Sequence, residues 1–360
     1  MRGSYLLLRV AALSGAVLSM ALVTGIYPLV KGAFRRRMCG ERVRRMASID
    51  TWPKSNVPFT AAFELARGLF EDQGINEGEL SARYLVSDAA RVGPRRSDFL
   101  LASTKNKPLS EDEMNQLKSH AQKRLKKMPV QYILGNWDFY GLTLNCREPV
   151  LIPRPETEEL VELLLNSKAI PDEGTVLDVG AGTGAVGLAI LSEMPGVSCV
   201  ALDVNPVAVE LSMENAKEVL SDYSRYSCIL KDFLEYAKDP SQNGTFDVIV
   251  SNPPYIPSDE MLDLSSEVSD YEDHRALHGG EDGMDLIRKI IELGPELLSD
   301  EGPGELWLEV VRRHPDAIEE YVRRYDAELD HQNDKRKRFY FVEGINDLSN
   351  NPRFARLRLR

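Results

Sequence analysis

The sequence predicts an α/β fold, a mainly parallel β-sheet covered by helices on both faces, preceded by a small helical domain. Three observations support this prediction. From residue 175 onward, apolar runs of strand length alternate with amphipathic helical segments, which is typical of a parallel sheet. Residues 56–128 show only helical periodicity. A glycine-rich turn, GAGTG, joins the first apolar run to a helix. The length of 360 residues is typical of about two domains.

The N-terminal helices are indicated by apolar residues that recur every three or four positions. FTAAFELARGLFEDQG shows this spacing and ends on Gly74, and GELSARYLVSDAARVG repeats it. SEDEMNQLKSHAQKRLKKM begins at Ser110, a good N-cap, and has acids in its first turn and bases in its last. We therefore predict a helical domain over residues 47–130.

The remaining chain is predicted to form a hairpin and then the sheet. DFYGLTLN (138–145) alternates like a strand and is predicted to pair with PVLIPR, so residues 131–155 form a linker hairpin. An amphipathic helix, ETEELVELLLNS, opens the α/β domain, assigned to residues 156–348. GELWLEVV and RFYFVEGI are its late strands, and residues 349–360 are predicted to be a C-terminal tail.

Charge divides the chain into two parts. The net charge is −12, but residues 1–46 carry nine Lys and Arg and one acid, a net of +8, which leaves −20 for the rest. An acidic body argues against bulk nucleic acid as a stable partner, because phosphates require a basic face. The four cysteines are scattered without a CxxC pair, so neither a disulfide framework nor a zinc site is predicted.

Residues 1–46 are predicted to be a targeting segment. They combine Arg-rich flanks with a twenty-residue uncharged run, AALSGAVLSMALVTGIYPLV. An Arg-rich, acid-poor N-terminus is typical of a mitochondrial presequence. The uncharged run is also long enough for a hydrophobic membrane anchor, and the segment is compatible with a plastid-type signal as well.

The turn VLDVGAGTGAVG (176–187) predicts a nucleotide-type ligand. Its glycines allow close approach of the backbone, and a helix N-terminus follows. Asp203, at the end of the next strand, is placed to accept both hydroxyls of a ribose. The same glycines satisfy G-x-G-x-x-G, so this part of the chain is equally compatible with a nicotinamide dinucleotide.

The stretch SNPPYIP (251–257) favours methyl transfer instead. It follows the apolar run FDVIV, at the sheet edge where ligands of parallel sheets bind. The Asn252 side-chain oxygen and the Pro253 carbonyl are two acceptors, and Pro253 and Pro254 have no N–H to compete. Tyr255 adds a flat face. Two rigid acceptors match the hydrogens of an –NH₂ group, so the pattern predicts an amine or amide nitrogen aimed at S-adenosylmethionine, whose methyl is already electrophilic.

Longer stretches resemble the HemK-type protein-(glutamine-N5) methyltransferases of peptide-chain release factors. These stretches are PVQYILGNWDFYGL (129–142), LIPRPETEELVE (151–162), LDVGAGTGAVGLA (177–189), VSNPPYI (250–256) and YEDHRALHGGEDGMDLI (271–287). LEVVRRHP (308–315) is similar to the mitochondrial animal branch of the family.

The resemblance implies a Rossmann-like class I S-adenosylmethionine-dependent methyltransferase with a mainly parallel seven-stranded sheet. The substrate it implies is the glutamine of a Gly-Gly-Gln loop in a class I release factor, which the helical domain would contact; we expect a monomer. It places Asp203 on the ribose and Phe233 against the adenine, with Arg154 and Glu156 shaping the pocket. The residues implied to surround the cofactor are Gly180, Ala181, Gly182, Thr183, Gly184 and Asn252. Those implied to hold the glutamine amide are Asn252, Pro253, Pro254 and Tyr255.

The chain departs from the family pattern at HRALHGG, where His274 and His278 replace a proline and, commonly, an aspartate. Two histidines four residues apart can suggest a metal pair, but no third ligand is nearby and no metal is predicted. N-P-P-Y is shared with adenine-N6 DNA methyltransferases, so a nucleic-acid base is the alternative acceptor. The sequence is also compatible with a nicotinamide-linked oxidoreductase and with a non-catalytic assembly or membrane-tethered factor.

Overall fold

The computed structural model describes residues 48–93 and 95–360, which form two compact units divided between Lys126 and Lys127. The division lies just before the boundary predicted at residue 130. The predicted targeting segment, residues 1–46, is outside the described residues. Within the described ranges, no helix is both long and apolar enough to cross a lipid bilayer.

The first unit is helical, as predicted. Its helices are α1 (Phe59–Asp72), α2 (Gly78–Ala89), α3 (Arg96–Lys105) and α4 (Glu111–Leu125), and a short antiparallel pair joins β1 (Val57–Pro58) to β2 (Pro108–Leu109). Ser110 caps α4 through a reciprocal box, in which the Glu113 carboxylate accepts from the Ser110 N–H at 2.7 Å. Phe70, Leu85 and Met114 are fully buried, so the unit has an apolar core of its own.

The second unit begins with α5 (Val130–Leu134) and a hairpin of β3 (Asn136–Phe139) and β4 (Leu142–Asn145). The predicted pairing of DFYGLTLN with PVLIPR is wrong, because both strands of the hairpin lie within residues 136–145. Tyr140 and Gly141 have φ of 48° and 82°, and two consecutive positive φ values turn the chain back after Phe139. The alternation of apolar and polar residues continues across this turn, so the sequence pattern does not indicate it.

The seven-stranded sheet confirms the predicted α/β class. Its strands are β5 (Thr175–Val179), β6 (Ser198–Asp203), β7 (Tyr226–Leu230), β8 (Val248–Ser251), β9 (Glu305–Glu309), β10 (Phe339–Asn346) and β11 (Pro352–Leu359). The spatial order is β10-β11-β9-β8-β5-β6-β7. The β7-β6-β5-β8-β9 part is parallel, and β11 is antiparallel to both β9 and β10.

Helices cover both faces of this sheet. They are α6 (Pro155–Ser167), α7 (Ala185–Glu193), α8 (Pro206–Val219), α9 (Phe233–Tyr236), α10 (Ser266–Ser269), α11 (Asp285–Leu297) and α12 (His314–His331). Successive strand residues alternate between two apolar cores. Val248 and Val250 pack into the core that contains α6 and α7, whereas Ile249 packs into the core that contains α11 and α12. Burial on both faces explains why the strands read as continuous apolar runs.

The prediction that residues 349–360 form a C-terminal tail is wrong, because this segment contains β11. This strand lies between β9 and β10 and buries Phe354, Ala355 and Leu357. Its arginines are neutralised by the neighbouring strand: Arg356 Nη2 lies 2.7 Å from a Glu305 oxygen. The segment PRFARLRL looks like a charged tail in the sequence because its cross-strand partners lie about fifty positions away.

The strand order reverses next to β5. From β5 the chain proceeds to β6 and β7 on one side, and then crosses to β8 on the other. In open parallel sheets the crevice for a ligand lies beyond the carboxyl ends of the strands at this reversal. The ends of β5 and β8 therefore position Gly180 and Asn252 at the same edge.

Candidate active site

The glycine turn after β5 presents its backbone to open space. Gly180, Gly182 and Gly184 have φ of 86°, 55° and 82°, values that favour glycine. The N–H groups of Gly180 and Ala181 both donate to the Leu202 carbonyl at 2.9 Å, which fixes the turn against β6. A Cβ built on Gly182 would meet nothing within 4 Å, whereas one on Gly184 would lie 3.0 Å from Leu188. Gly182 thus faces open space, and Gly184 packs closely against α7.

Asp203 ends β6 with its carboxylate fixed by two backbone donors. The Gly182 N–H donates to Oδ2 at 2.9 Å, and the Asn205 N–H donates to Oδ1 at 2.8 Å. Burial raises the pKa of Asp203, and these two hydrogen bonds oppose that rise. Each carboxylate oxygen keeps acceptor capacity, so the group can receive two hydroxyls of a diol.

Most of the predicted site residues meet in one cleft. Its walls include Gly180, Gly182, Asp203, Phe233, Asn252 and Pro254. Ala181 is instead buried in the apolar core, and the Thr183 carbonyl accepts from Asn215 Nδ2 at 2.9 Å. Tyr255 packs against the core on the other face of the sheet, and burial raises its pKa to about 12. These residues support the turn and the N-P-P-Y segment from behind.

Sequence reasoning missed one wall of the cleft. Asp273 and Arg275, from the loop after α10, line it together with Asp232. Asn205 Nδ2 donates to Asp273 Oδ2 at 2.8 Å, and Arg275 Nη2 donates to the same oxygen at 2.7 Å. The wall is therefore tied to the residues just after β6. Its only sequence signal was the stretch YEDHR, which is similar to the family.

The start of α6 is tied to the same loop. Arg154, the N-cap residue, lies 2.6 Å from the carboxylate of Glu272, whose side chain is almost inaccessible. Burial raises the pKa of Glu272, and the Arg154 charge opposes this. The predicted pocket-shaping role of Arg154 is consistent with this pair, which anchors the loop next to the cleft.

Asn252 is connected to two buried polar residues. Its Nδ2 donates to the Thr157 hydroxyl at 3.2 Å, and that hydroxyl donates to Glu309 Oε2 at 2.7 Å. Thr157 lies in the first turn of α6 and Glu309 is the last residue of β9; the two are 5% and 1% exposed. Burial raises the pKa of Glu309 to about 7. Sequence reasoning missed both residues, although a carboxylate at the end of an apolar strand, GELWLE, is a usable signal.

The N-P-P-Y segment is supported by the glycines of HGGEDG. The Ile256 N–H donates to the Leu277 carbonyl at 2.9 Å, and the Gly279 N–H donates to the Ile256 carbonyl at 2.8 Å. A Cβ on Gly279 would lie 2.6 Å from the Pro254 carbonyl oxygen, and one on Gly283 would lie 2.3 Å from that of Tyr255. These two glycines allow the backbones to pack in contact.

The two histidines that replace family residues have separate partners. His274 Nε2 lies 2.8 Å from the Ser269 carbonyl, and His278 Nε2 lies 2.8 Å from the Ser258 hydroxyl. Within residues 48–93 and 95–360, no group of three or more His, Cys, Asp or Glu is arranged to hold a metal ion.

Comparison with known proteins gives matches to both units. Residues 61–135 match the profile of the PrmC N-terminal domain, and residues 156–267 match that of the Methyltransferase small domain. The chain is 39% identical over 262 residues to the MTRF1L release factor glutamine methyltransferase of Homo sapiens, covering 71% of this chain and 76% of that protein. It is 35% identical to the release factor glutamine methyltransferase of Geobacter sulfurreducens, covering 68% and 80%. The corresponding protein of Streptococcus pneumoniae is 34% identical, covering 71% and 88%.

Proposed function

This chain belongs to the release factor glutamine methyltransferase family, and from that premise we propose that it methylates a glutamine side chain of a class I peptide-chain release factor. The methyl donor is S-adenosylmethionine, and the acceptor is the N5 atom of the glutamine in a Gly-Gly-Gln loop. The observation that carries the proposal is the position of Asn252, which shares one cleft with Gly182 and Asp203.

The cleft residues fit S-adenosylmethionine. The Asp203 carboxylate suits the ribose hydroxyls, because its backbone donors leave acceptor capacity on the oxygens. Gly182 faces open space that would admit the cofactor, and Phe233 supplies a ring for the adenine. Ala181, Thr183 and Gly184 hold the turn in shape. The bound cofactor supplies an electrophilic sulfonium methyl group.

The residues of N-P-P-Y hold the acceptor nitrogen. Asn252 Oδ1 and the Pro253 carbonyl accept the two amide hydrogens, and neither Pro253 nor Pro254 has an N–H to compete. Tyr255 packs beneath the segment and keeps it rigid. These groups contribute alignment and exclusion of water. A strong base is not needed, because an amide nitrogen becomes acidic as its new bond forms.

The partner is a protein rather than a nucleic acid. An exocyclic amine of a base would also fit two acceptors, but the −20 charge outside residues 1–46 opposes phosphate binding. We expect oligonucleotides to show no measurable affinity at low salt, and we expect the chain to sediment as a monomer. Tight, salt-dependent binding of a duplex would favour the adenine-N6 alternative.

The site of action that we propose is the mitochondrion. The Arg-rich, acid-poor composition of residues 1–46 supports this location. Association with a membrane requires that this segment be retained. A fluorescent protein carrying residues 1–46 should enter mitochondria, and a variant with its nine Lys and Arg replaced by Gln should remain outside. Accumulation of the unaltered fusion in another membrane would support the anchor alternative.

The experiment that tests the site is Asn252→Ala in the full chain. We expect turnover of a release factor to fall at least about 100-fold, since a preorganised polar group at the reacting atom is lost. The dissociation constant for S-adenosylmethionine, measured by calorimetry, should change less than about threefold. Asn243→Ala, at an exposed asparagine, is the matched control and should change neither quantity. Loss of cofactor binding in Asn252→Ala would contradict the assigned role.

A further inference from the structure

Glu309 is a buried carboxylate that the proposed reaction does not use. It ends β9 at the same sheet edge as Asn252, and its side chain accepts the Thr157 hydroxyl at 2.7 Å. Thr157 in turn lies 3.2 Å from Asn252 Nδ2. A contiguous hydrogen-bonded line therefore leads from a titratable group to the amide proposed to hold the substrate.

The charged groups around Glu309 come from three elements. Arg353 lies on β11, Arg154 and Glu156 lie at the start of α6, and the Tyr255 phenol is also near. The two arginines have other partners: Arg353 Nε is 3.6 Å from Asp347 Oδ2, and Arg154 pairs with Glu272. The hydrogen bond from Thr157 is thus the specific contact that connects Glu309 to the cleft.

Proton counting fixes the direction of each hydrogen bond when Glu309 is ionised. A carboxylate is an acceptor only, so Thr157 donates its single proton to Glu309. The Thr157 oxygen can then only accept, which requires the –NH₂ of Asn252 to face it. Asn252 Oδ1 consequently faces the other way and is available to a substrate –NH₂.

We propose that Glu309, acting through the Thr157 hydroxyl, is a positioning group that orients the Asn252 amide for methyl transfer and does so only when ionised. Which orientation is productive rests on the proposed function, in which Asn252 Oδ1 accepts from the substrate –NH₂. A protonated Glu309 carries a donor of its own, and when its O–H donates to Thr157, the Thr157 proton is released for donation to Asn252 Oδ1. The amide turns over and presents its own –NH₂ to the substrate –NH₂, so two donors oppose each other.

This change of orientation occurs in the physiological range of pH. Burial raises the pKa of Glu309 to about 7, because the carboxylate loses hydration that Thr157 only partly replaces. The productive form therefore predominates above this pH and the unproductive form below it. The rate of methyl transfer should rise with pH across this interval.

The first readout needs no substrate. The full chain, labelled with ¹⁵N in asparagine, gives an NMR signal for the side-chain amide of Asn252. The signal is identified as the one that is missing from the spectrum of Asn252→Asp. We expect this signal to titrate with a midpoint near pH 7 in the unaltered chain and in Thr157→Ser, which keeps the hydroxyl. Thr157→Val, which is isosteric but has no hydroxyl, and Glu309→Gln should lose the titration.

The second readout is the pH profile of kcat on a release factor. Thr157→Val should lower kcat about tenfold above pH 7. It should also remove the rise of kcat with pH that ionisation of Glu309 produces, and leave the cofactor dissociation constant unchanged. Thr157→Ser should restore both the rate and the profile. Titration of the Asn252 signal in Thr157→Val would overturn the inference, as would an unchanged profile of kcat. A chain whose Asn252 signal behaves as expected but that methylates no glutamine would refute the proposed function alone.

Discussion

Asp203 has two of its hydrogen bonds in place before any ligand binds. The Gly182 and Asn205 N–H groups fix the carboxylate, so its free acceptor positions are preorganised. Preorganisation removes the cost of orienting the side chain when a diol binds. The bond from Gly182 also connects the glycine turn to β6, so the side chain that we propose for the ribose also shapes the cleft.

Asp203→Asn should therefore weaken S-adenosylmethionine binding by about 10- to 100-fold, the value of one charged hydrogen bond. Each carboxylate oxygen accepts a backbone N–H, so in either orientation the asparagine –NH₂ opposes one of these donors and removes one acceptor for a ribose hydroxyl. Calorimetry measures the dissociation constant. Asp222→Asn, at an exposed aspartate, is the control. Unchanged affinity in Asp203→Asn would exclude the ribose assignment.

The raised pKa of Glu309 also predicts a dependence of stability on pH. The folded chain keeps the Glu309 proton up to about pH 7, whereas an unfolded chain loses it near the ordinary value of 4.5. The unfolding free energy therefore falls as pH rises between these values. The unfolding free energy of Glu309→Gln, relative to that of the unaltered chain, should therefore be higher at pH 8 than at pH 5 by up to about 3 kcal/mol.

Urea unfolding at pH 5 and pH 8 measures this difference. Glu319→Gln, at an exposed position of α12, is the control: its stability relative to the unaltered chain should be the same at pH 5 and pH 8. If Glu309→Gln and the unaltered chain lose stability in parallel with rising pH, the burial cost lies elsewhere.

Single residues differed in how far the sequence could predict them. The positions of Gly182, Asp203 and Asn252 were predictable, because each lies at or just after the carboxyl end of a strand of recognisable apolar pattern, at the sheet edge that binds ligands. The contact between Thr157 and Glu309 was not predictable, because the two residues are 152 positions apart and meet only in the folded chain. The roles of Asn252 and Asp203 themselves are tested by the variants above.

At the scale of elements, the N-P-P-Y segment depends on the glycines that pack against it. Residues 277–279 pair with Ile256, and Gly279 has no room for a methyl group beside the Pro254 carbonyl. Gly283 is constrained further by its φ of 81°. Backbone packing at this distance makes the segment 277–283 a structural support for the N-P-P-Y segment.

Gly279→Ala should displace Pro254, and with it the adjoining Pro253 carbonyl that we propose as an acceptor, and should lower kcat by about tenfold or more, because a misplaced acceptor group is costly for catalysis. Cofactor affinity should remain within about threefold, since Asp203 is not disturbed. The control is Gly68→Ala in α1, where a Cβ meets nothing within 4 Å and should be tolerated. Normal kcat in Gly279→Ala would show that the segment accommodates the methyl group.

The elements that the sequence misassigned share a cause. The turn at Tyr140–Gly141 lies within an alternating pattern, so periodicity alone reads through it. β11 alternates apolar residues with arginines, and their charge suggests a solvated tail until Glu305 is placed beside them. Strand–helix alternation was predictable because burial on both faces leaves long apolar runs.

At the scale of the whole molecule, β11 completes the sheet. It connects β9 to β10 and places Arg353 near Glu309, so the end of the chain contributes to the surroundings of the cleft. Removal of residues 349–360 should prevent stable folding of the second unit, because two strand pairings are lost. Leu357→Ala, a smaller change at a fully buried position, should cost about 2–5 kcal/mol of unfolding free energy.

Circular dichroism and urea unfolding measure both effects. Val342→Ala, at a partly exposed position of the adjacent strand, is the control and should cost less than Leu357→Ala. A truncated chain that unfolds at the same urea concentration as the full chain would contradict the place of β11 in the sheet.

The most direct test of the whole account is the identity of the methylated atom. The full chain is incubated with isotopically labelled S-adenosylmethionine and an equimolar mixture of a release factor and an adenine-containing DNA duplex, and mass spectrometry maps the label. The account predicts label on the Gly-Gly-Gln glutamine, absence of label from the duplex, and loss of labelling in Asn252→Ala. Label on adenine, or on another side chain of the release factor, would contradict it.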